Sequence, residues 1–254
     1  PIKTCITSNL NLECIGWHRG LCLFNFDLHV HTVKGSTDSG LLPEQLIAEA
    51  KRIGLNGVFL SEHGGGWTPT QIETEFGEAD LTVATGLEVN TDMGHIIVIG
   101  LDSYVSGIHK VRVLREKVDE VGGILIAAHP LRNFFNRPPY NVNLLFGGWE
   151  ISPETPEQAS EHELFSLVDC IEVTNGANSE KENSFTLEIA NHLNIPATGG
   201  SDSHSIQGIG RSFTIFENDI PDRETLIAEI KAKRFYPAEG LNIGKVQKFQ
   251  NTNS

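Results

Sequence analysis

Asp27, His29 and His31 occupy alternate positions in FDLHVHT, residues 26–32, inside a short apolar run that also carries Leu21, Leu23, Phe24, Leu28 and Val30. Side chains two apart on a β-strand point to one face, so three metal-binding groups line up together. Neutral imidazole is the commonest protein metal ligand and a carboxylate adds a harder oxygen. Together they suit Zn, Mn or Fe better than Ca.

The same residue types return at the ends of later apolar runs. His63 follows NGVFLSE, Glu88 sits near the end of LTVATGLEV, His129 closes GILIAAH, and Asp202 and His204 end NIPATGGSDSH. His95 opens HIIVIGL directly after the turn NTDMG. So short a connection predicts an antiparallel return, which brings His95 to the rim that holds Glu88. Six of the ten histidines therefore fall at one kind of position. A single tetrahedral catalytic ion takes about three protein ligands and a water, so this many groups imply two or three divalent metals. Glu88, mid-chain with histidines on both sides, is the natural bridge.

The elements that must position these groups are legible as alternating runs. Pro43 opens a helix over 43–53 that stops at Gly54, and Thr68 and Pro69 begin a short one to about Phe76. Helical spacing recurs over 108–121, 180–193 and 221–235, with strands over 168–176 and 211–217. Strands alternating with helices predict a mostly parallel α/β sheet or barrel, whose functional groups gather at the C-terminal ends of the strands. Residues 131–161 break the pattern with four prolines and several aromatics. They read as a lid, a binding loop or a surface excursion packed by its own rings. Residues 1–20 have no assigned role, 21–240 form the expected domain, and 241–254 read as a polar tail.

With 254 residues and a formal charge of −14, the chain is large enough for one sizeable α/β domain. That charge argues against duplex nucleic acid or an anionic membrane as partner, since both need a basic surface. Four cysteines without C-x-x-C spacing read as free thiols of an intracellular protein. Pro1 in place of Met marks a processed, trimmed or partial chain. The first twenty residues hold neither a long apolar segment nor a tidy cleavage site, and no run of 18 apolar residues follows, so a cytoplasmic location is expected.

The ordered set DLHVHT, SEHG, GLEVN followed by GHIIVIG, AAHP and GSDSH resembles the polymerase and histidinol phosphatase (PHP) family of metal-dependent phosphoesterases, over about residues 24–240. The resemblance implies a distorted (β/α)7 TIM-like barrel with two or three metals at its C-terminal rim. It implies that His29, His31, Glu88 and Asp202 hold the first metal, Glu88, His95 and His129 the second, and His63 with His204 a third. Some members place a histidine soon after the first motif, where this chain has Asp38; the usual Asp before the second-motif histidine is Glu62 here. Asp27 is held as a possible ligand or as the orienter of a ligating imidazole.

The chemistry expected is metal-assisted hydrolysis of a phosphoester, an EC 3.1-type reaction, with Asp202 or His204 passing a proton to the leaving alkoxide. Arg132, Arg137, Arg211 and Lys34 are candidate phosphate clamps, Arg211 first among them because GIGRS follows the last metal motif; Asn175 is a candidate substrate contact. A small phosphorylated substrate is expected, a nucleotide or oligonucleotide end included. Two other readings stand beside this one: a C–N hydrolase in the manner of amidohydrolases, and a non-catalytic regulatory barrel that binds metal.

Overall fold

The computed structural model describes residues 23–250; the segment 1–20 and residues 251–254 lie outside the described residues. Strand β1 (Phe24–Val30) leads into helix α1 (Pro43–Ile53), where proline at the first helical position and left-handed Gly54 at the end set the boundaries expected from sequence. Then follow β2 (Gly57–Glu62), α2 (Pro69–Phe76), the hairpin β3 (Thr82–Thr91) and β4 (Gly94–Ile99), α3 (Val111–Val121) and β5 (Ile124–Ala127). Within the insertion only the short α4 (Pro156–Ala159) forms, and one 3-10 turn, Glu163–Ser166, follows it. Regular structure resumes with β6 (Cys170–Asn175), α5 (Glu180–Leu193), β7 (Ala197–Gly200), β8 (Ser212–Phe216), α6 (Arg223–Lys231), β9 (Phe235–Glu239) and β10 (Gln247–Lys248).

All ten strands join one sheet in the order β10-β9-β8-β1-β2-β3-β4-β5-β6-β7. Parallel pairs β1/β2, β2/β3, β5/β6 and β6/β7 follow the expected alternation. The strict (β/α)7 count does not hold. β4 runs antiparallel to both neighbours, as the short turn required, and β8, β9 and β10 return antiparallel beside β1. The expected helix over 221–235 stops at Lys231, because Lys233 adopts a left-handed φ of 56° and the aromatic run with Pro237 continues as β9. The segment read as a polar tail carries β10, and Phe249 packs against the core.

The sheet curls until its ends meet. Phe26 of β1, Phe59 of β2, Ile97 of β4 and Ile126 of β5 share one buried cluster with Leu226 of α6, although β1 and β5 are not neighbours in the sheet. Closure runs through β7: the Thr214 hydroxyl accepts from Gly199 N and donates to Gly199 O, both at 2.9 Å, and Val30 bridges Ser203. Glycine is required there, since a Cβ on Gly199 would lie 2.4 Å from the Phe213 carbonyl oxygen. Gly199→Ala should therefore lose about 2 kcal/mol of stability through overpacking, read as a lower urea midpoint at constant m-value.

Candidate metal centre

Eight predicted ligands converge on one rim. His29 and His31 leave the end of β1, His63 lies just beyond β2, Glu88 comes from β3, His95 from the start of β4, His129 from just beyond β5, and Asp202 and His204 from just beyond β7. Around His29 and His31 the donor atoms form a close set. His29 Nε2 is 3.0 Å from His31 Nε2, 3.3 Å from Glu88 Oε2 and 3.4 Å from Asp202 Oδ1; His31 Nε2 is 3.2 and 3.3 Å from the same two oxygens. Ligands of a tetrahedral ion with bonds of about 2.0–2.1 Å lie about 3.3–3.4 Å apart, so these edges fit a first-row divalent metal. The other oxygen of Glu88 faces a second set: Oε1 lies 3.0 Å from His95 Nδ1 and 2.9 Å from His129 Nε2. Asp38 Oδ2 stands 3.5 Å from His63 Nε2 and 3.4 Å from His204 Nε2, and His31, His63 and His204 form a third group of converging donors.

The tautomers that metal binding needs are set by neighbours. A carboxylate can only accept, so His29 donates Nδ1–H to Glu172 Oε1 at 2.9 Å and turns the Nε2 lone pair toward Glu88. Ser36 gives its one hydroxyl proton to Glu62 Oε2 at 2.6 Å and therefore accepts from His31 Nδ1 at 3.1 Å. Glu62, fully buried, also accepts from Trp67 Nε1 at 2.9 Å and from the backbone and hydroxyl of Thr32. His204 Nδ1 donates to the Asp202 carbonyl at 3.0 Å.

The acids and imidazoles of the rim shift one another in opposite directions. Burial opposes ionisation of Glu88 and Asp202, yet His29 and its neighbours hold both carboxylates well below their usual range. Burial would lower His29, but Glu172, Asp202 and Glu88 raise it well above an ordinary imidazole. His129 moves the other way, lowered by burial and by the nearby Arg132 guanidinium, which favours a neutral ring able to ligate. His129 (φ 31°) and Asp202 (φ 54°) both lie in the left-handed region, anchored by His129 N to Glu172 Oε2 at 2.9 Å and Asp202 N to His29 O at 2.7 Å.

Three expectations are corrected. Asp27 belongs to none of the donor groups: its carboxylate accepts main-chain N–H bonds from His29 (3.2 Å), Ser201 (2.8 Å) and Gly210 (3.3 Å), and burial raises its pKa to about 6. Arg211 is exposed beside Glu239 and Lys245, whereas Arg132 reaches the centre through Nη2 to Asp202 Oδ2 at 2.5 Å. Asn175 is buried with both ends used, donating to Glu172 Oε2 at 2.9 Å and accepting from Arg132 Nη2 at 2.8 Å. Glu172, which orients His29 and His129, was missed: in CIEVTN it reads as one polar residue inside a core strand. A Cβ on Gly200 would lie 2.4 Å from His29 Cβ and 2.5 Å from Glu172 Oε1, so the second glycine of TGGSDSH makes room for this pair.

Two substitutions separate ligands from supports. Glu88→Ala should lower bound metal by at least one ion per chain in elemental analysis while the far-ultraviolet circular dichroism is retained. Asp27→Ala should leave metal per folded chain unchanged and cost about 3 kcal/mol in urea unfolding, because buried N–H groups lose their acceptor.

Comparison with known proteins follows the geometry. Residues 180–235, which include Asp202 and His204, match the model of a PHP-associated family. Uncharacterized protein MJ1587 of Methanocaldococcus jannaschii is 32% identical over 117 residues, 41% of this chain, and the match spans 66% of that protein's length. Among solved structures, a two-domain protein of Bacteroides vulgatus containing a predicted PHP-like metal-dependent phosphoesterase superimposes with a TM-score of 0.53 at 17% identity, covering 85% of this chain and 64% of the other. PsfC of Pseudomonas syringae gives 0.51 at 18% identity, over 76% and 82% of the two chains. An amidohydrolase of Chromobacterium violaceum, with sulfate bound and no metal, gives 0.50 at 16% identity, over 82% and 96%. At these identities the superpositions establish the fold. The chain thus carries the PHP-associated match in its C-terminal part and, on one rim of that fold, the ordered histidine and carboxylate motifs that resemble the PHP family.

Proposed function

We propose that this protein is a metal-dependent phosphoesterase acting on a small phosphoester, a monoester or a nucleotide-type diester, with two or three divalent ions of the Zn, Mn or Fe class. The observation that carries this reading is Glu88, whose two carboxylate oxygens each face a separate set of imidazoles, Oε2 toward His29 and His31 and Oε1 toward His95 and His129. His29, His31, Glu88 and Asp202 would hold one ion, Glu88, His95 and His129 another, and His63, His204 and Asp38 a third. Bound there, divalent cations supply Lewis acidity toward phosphoryl oxygens and acidify water near neutral pH.

The protein's own groups divide the remaining work. Asp202 is committed on both oxygens, to Arg132 and to the His29–His31 pair, so it orients rather than donates a proton. With two ions bound, His204, one-third exposed at the rim, carries the proton transfer to the leaving alkoxide through Nε2; with a third ion bound, Nε2 would ligate it instead. Arg132 uses Nε on Asn178 and Nη2 on Asn175 and Asp202, which leaves Nη1 for a phosphoryl oxygen. An amidohydrolase-type centre commonly bridges its metals with a lysine; here a glutamate stands at the bridge, which favours the phosphoesterase.

Protein stripped with a chelator should lose hydrolysis of p-nitrophenyl phosphate and bis(p-nitrophenyl) phosphate and regain it with Mn or Zn. His129→Ala should lose at least about 100-fold of the restored rate. Full activity in that variant, or metal-loaded protein that cleaves neither ester, would reject the assignment.

A further inference from the structure

The insertion 131–161 turns back toward the metal rim and is fastened there by one side chain. Asn143 is buried; its Nδ2 donates to Pro130 O at 2.8 Å and Arg132 O at 3.0 Å, and its Oδ1 accepts from Leu145 N at 3.1 Å and Phe146 N at 2.9 Å. The amide has no capacity left for a ligand, so it serves to hold the loop on the exit of β5. Between loop and rim lies a cavity of about 80 Å³ with two unlike sides. His95, His129 and Arg132 line one side, and Val142, Leu144 and Leu145 line the other. The loop also meets the β3–β4 hairpin: a Cβ built on Gly94 would lie 3.9 Å from Leu144 Cβ.

Val142 and Leu144 stand 64% and 54% exposed beside this polar rim, while Leu145 is buried. Apolar side chains held open next to a metal centre gain by being covered, at about 25 cal/mol per Å² of apolar surface removed from water. The space is on the order of several waters and is open along Val142 and Leu144, so a compact ring or branched alkyl group would lie partly within it, against those side chains. A polyhydroxylated alcohol would bury hydroxyls against Val142, Leu144 and Leu145 without hydrogen-bond partners, which is costly.

We infer that residues 142–145 form the leaving-group wall of the site and that it takes phosphoesters of a compact apolar alcohol, aryl or branched alkyl, in preference to sugar or polyol phosphates. The inference rests on the phosphoesterase reading above. Its test pairs turnover with binding. On metal-loaded protein, kcat/KM is measured for phenyl phosphate and glycerol 2-phosphate, and calorimetry gives the affinities of phenylphosphonate and methylphosphonate, which contain no ester to cleave. Leu144→Asp and Val142→Asp, both at exposed positions, are compared with the unmodified chain.

The expected result is that each variant lowers the phenyl-to-glycerol ratio of kcat/KM about tenfold, and the phenyl-to-methyl phosphonate affinity ratio to a similar degree, at unchanged metal content. Ester cleavage with both ratios unmoved by the substitutions would overturn the wall while leaving the phosphoesterase standing. Phenylphosphonate preference that is lost in the variants, without cleavage of any ester, would uphold the pocket and overturn the phosphoesterase.

Discussion

Glu88 is a carboxylate taken almost wholly out of water and surrounded by imidazoles. His29, His31 and His63 lie within 3.2–3.4 Å of one oxygen, and His95 and His129 within 2.9–3.0 Å of the other. An isolated charge in such a place costs several kcal/mol, and a single partner seldom offsets it. Here the compensation is spread over side chains from β1, β4 and the loops after β2 and β5, so strands far apart in sequence must end at one level. The curvature of the sheet and the antiparallel return of β4 are the means: without that return, His95 would stand at the opposite end of the barrel from Glu88.

A second layer keeps the first in place. Glu172 fixes the ring of His29 and the backbone of His129, and the Glu62–Ser36 pair fixes His31. These carboxylates are buried too, and each is satisfied by donors that leave one imidazole nitrogen facing inward. Left-handed backbone at His129 and Asp202 costs about 1–3 kcal/mol apiece and persists where surrounding bonds over-determine it. Both residues have such bonds, one to the Glu172 side chain and one to the His29 carbonyl. The strain lies at two residues that face the bridging carboxylate and the His29–His31 pair.

The donor set that converges on the rim was legible in the sequence because at most members two simple signals coincide, an apolar run ending and a histidine or acid beside it; His95 instead opens its run after a short turn. The boundaries of α1 and α2 and the β3–β4 hairpin were legible for similar reasons of caps and turn length. Depth was not. Alternation puts Asp27 on the side of His29 and His31, but it cannot say that the main-chain amides of Ser201 and Gly210, more than 170 residues away, will reach it first. Glu172 carries no local signal of its role, since the imidazole and amide it orients come from β1 and the loop after β5. Proximity in sequence favoured Arg211 over Arg132, and tertiary structure reversed that order. β9 was hidden because KAKRFYPAE keeps helical spacing up to the point where Lys233 turns left-handed.

Arg132 joins two parts of the molecule that sequence treats as separate. It lies at the start of the insertion, its carbonyl is held by Asn143 of that insertion, and its guanidinium grips Asp202 of the last metal motif. A shift of the loop would therefore pull on a carboxylate that faces His29 and His31, and a change in how that carboxylate is engaged would be felt at Val142–Leu145. Because the hydrogen bonds of Asn143 are all internal to the loop and its root, the wall and Arg132 move as one piece. On the reading proposed above, the insertion and the metal rim are linked through the Arg132–Asp202 ion pair.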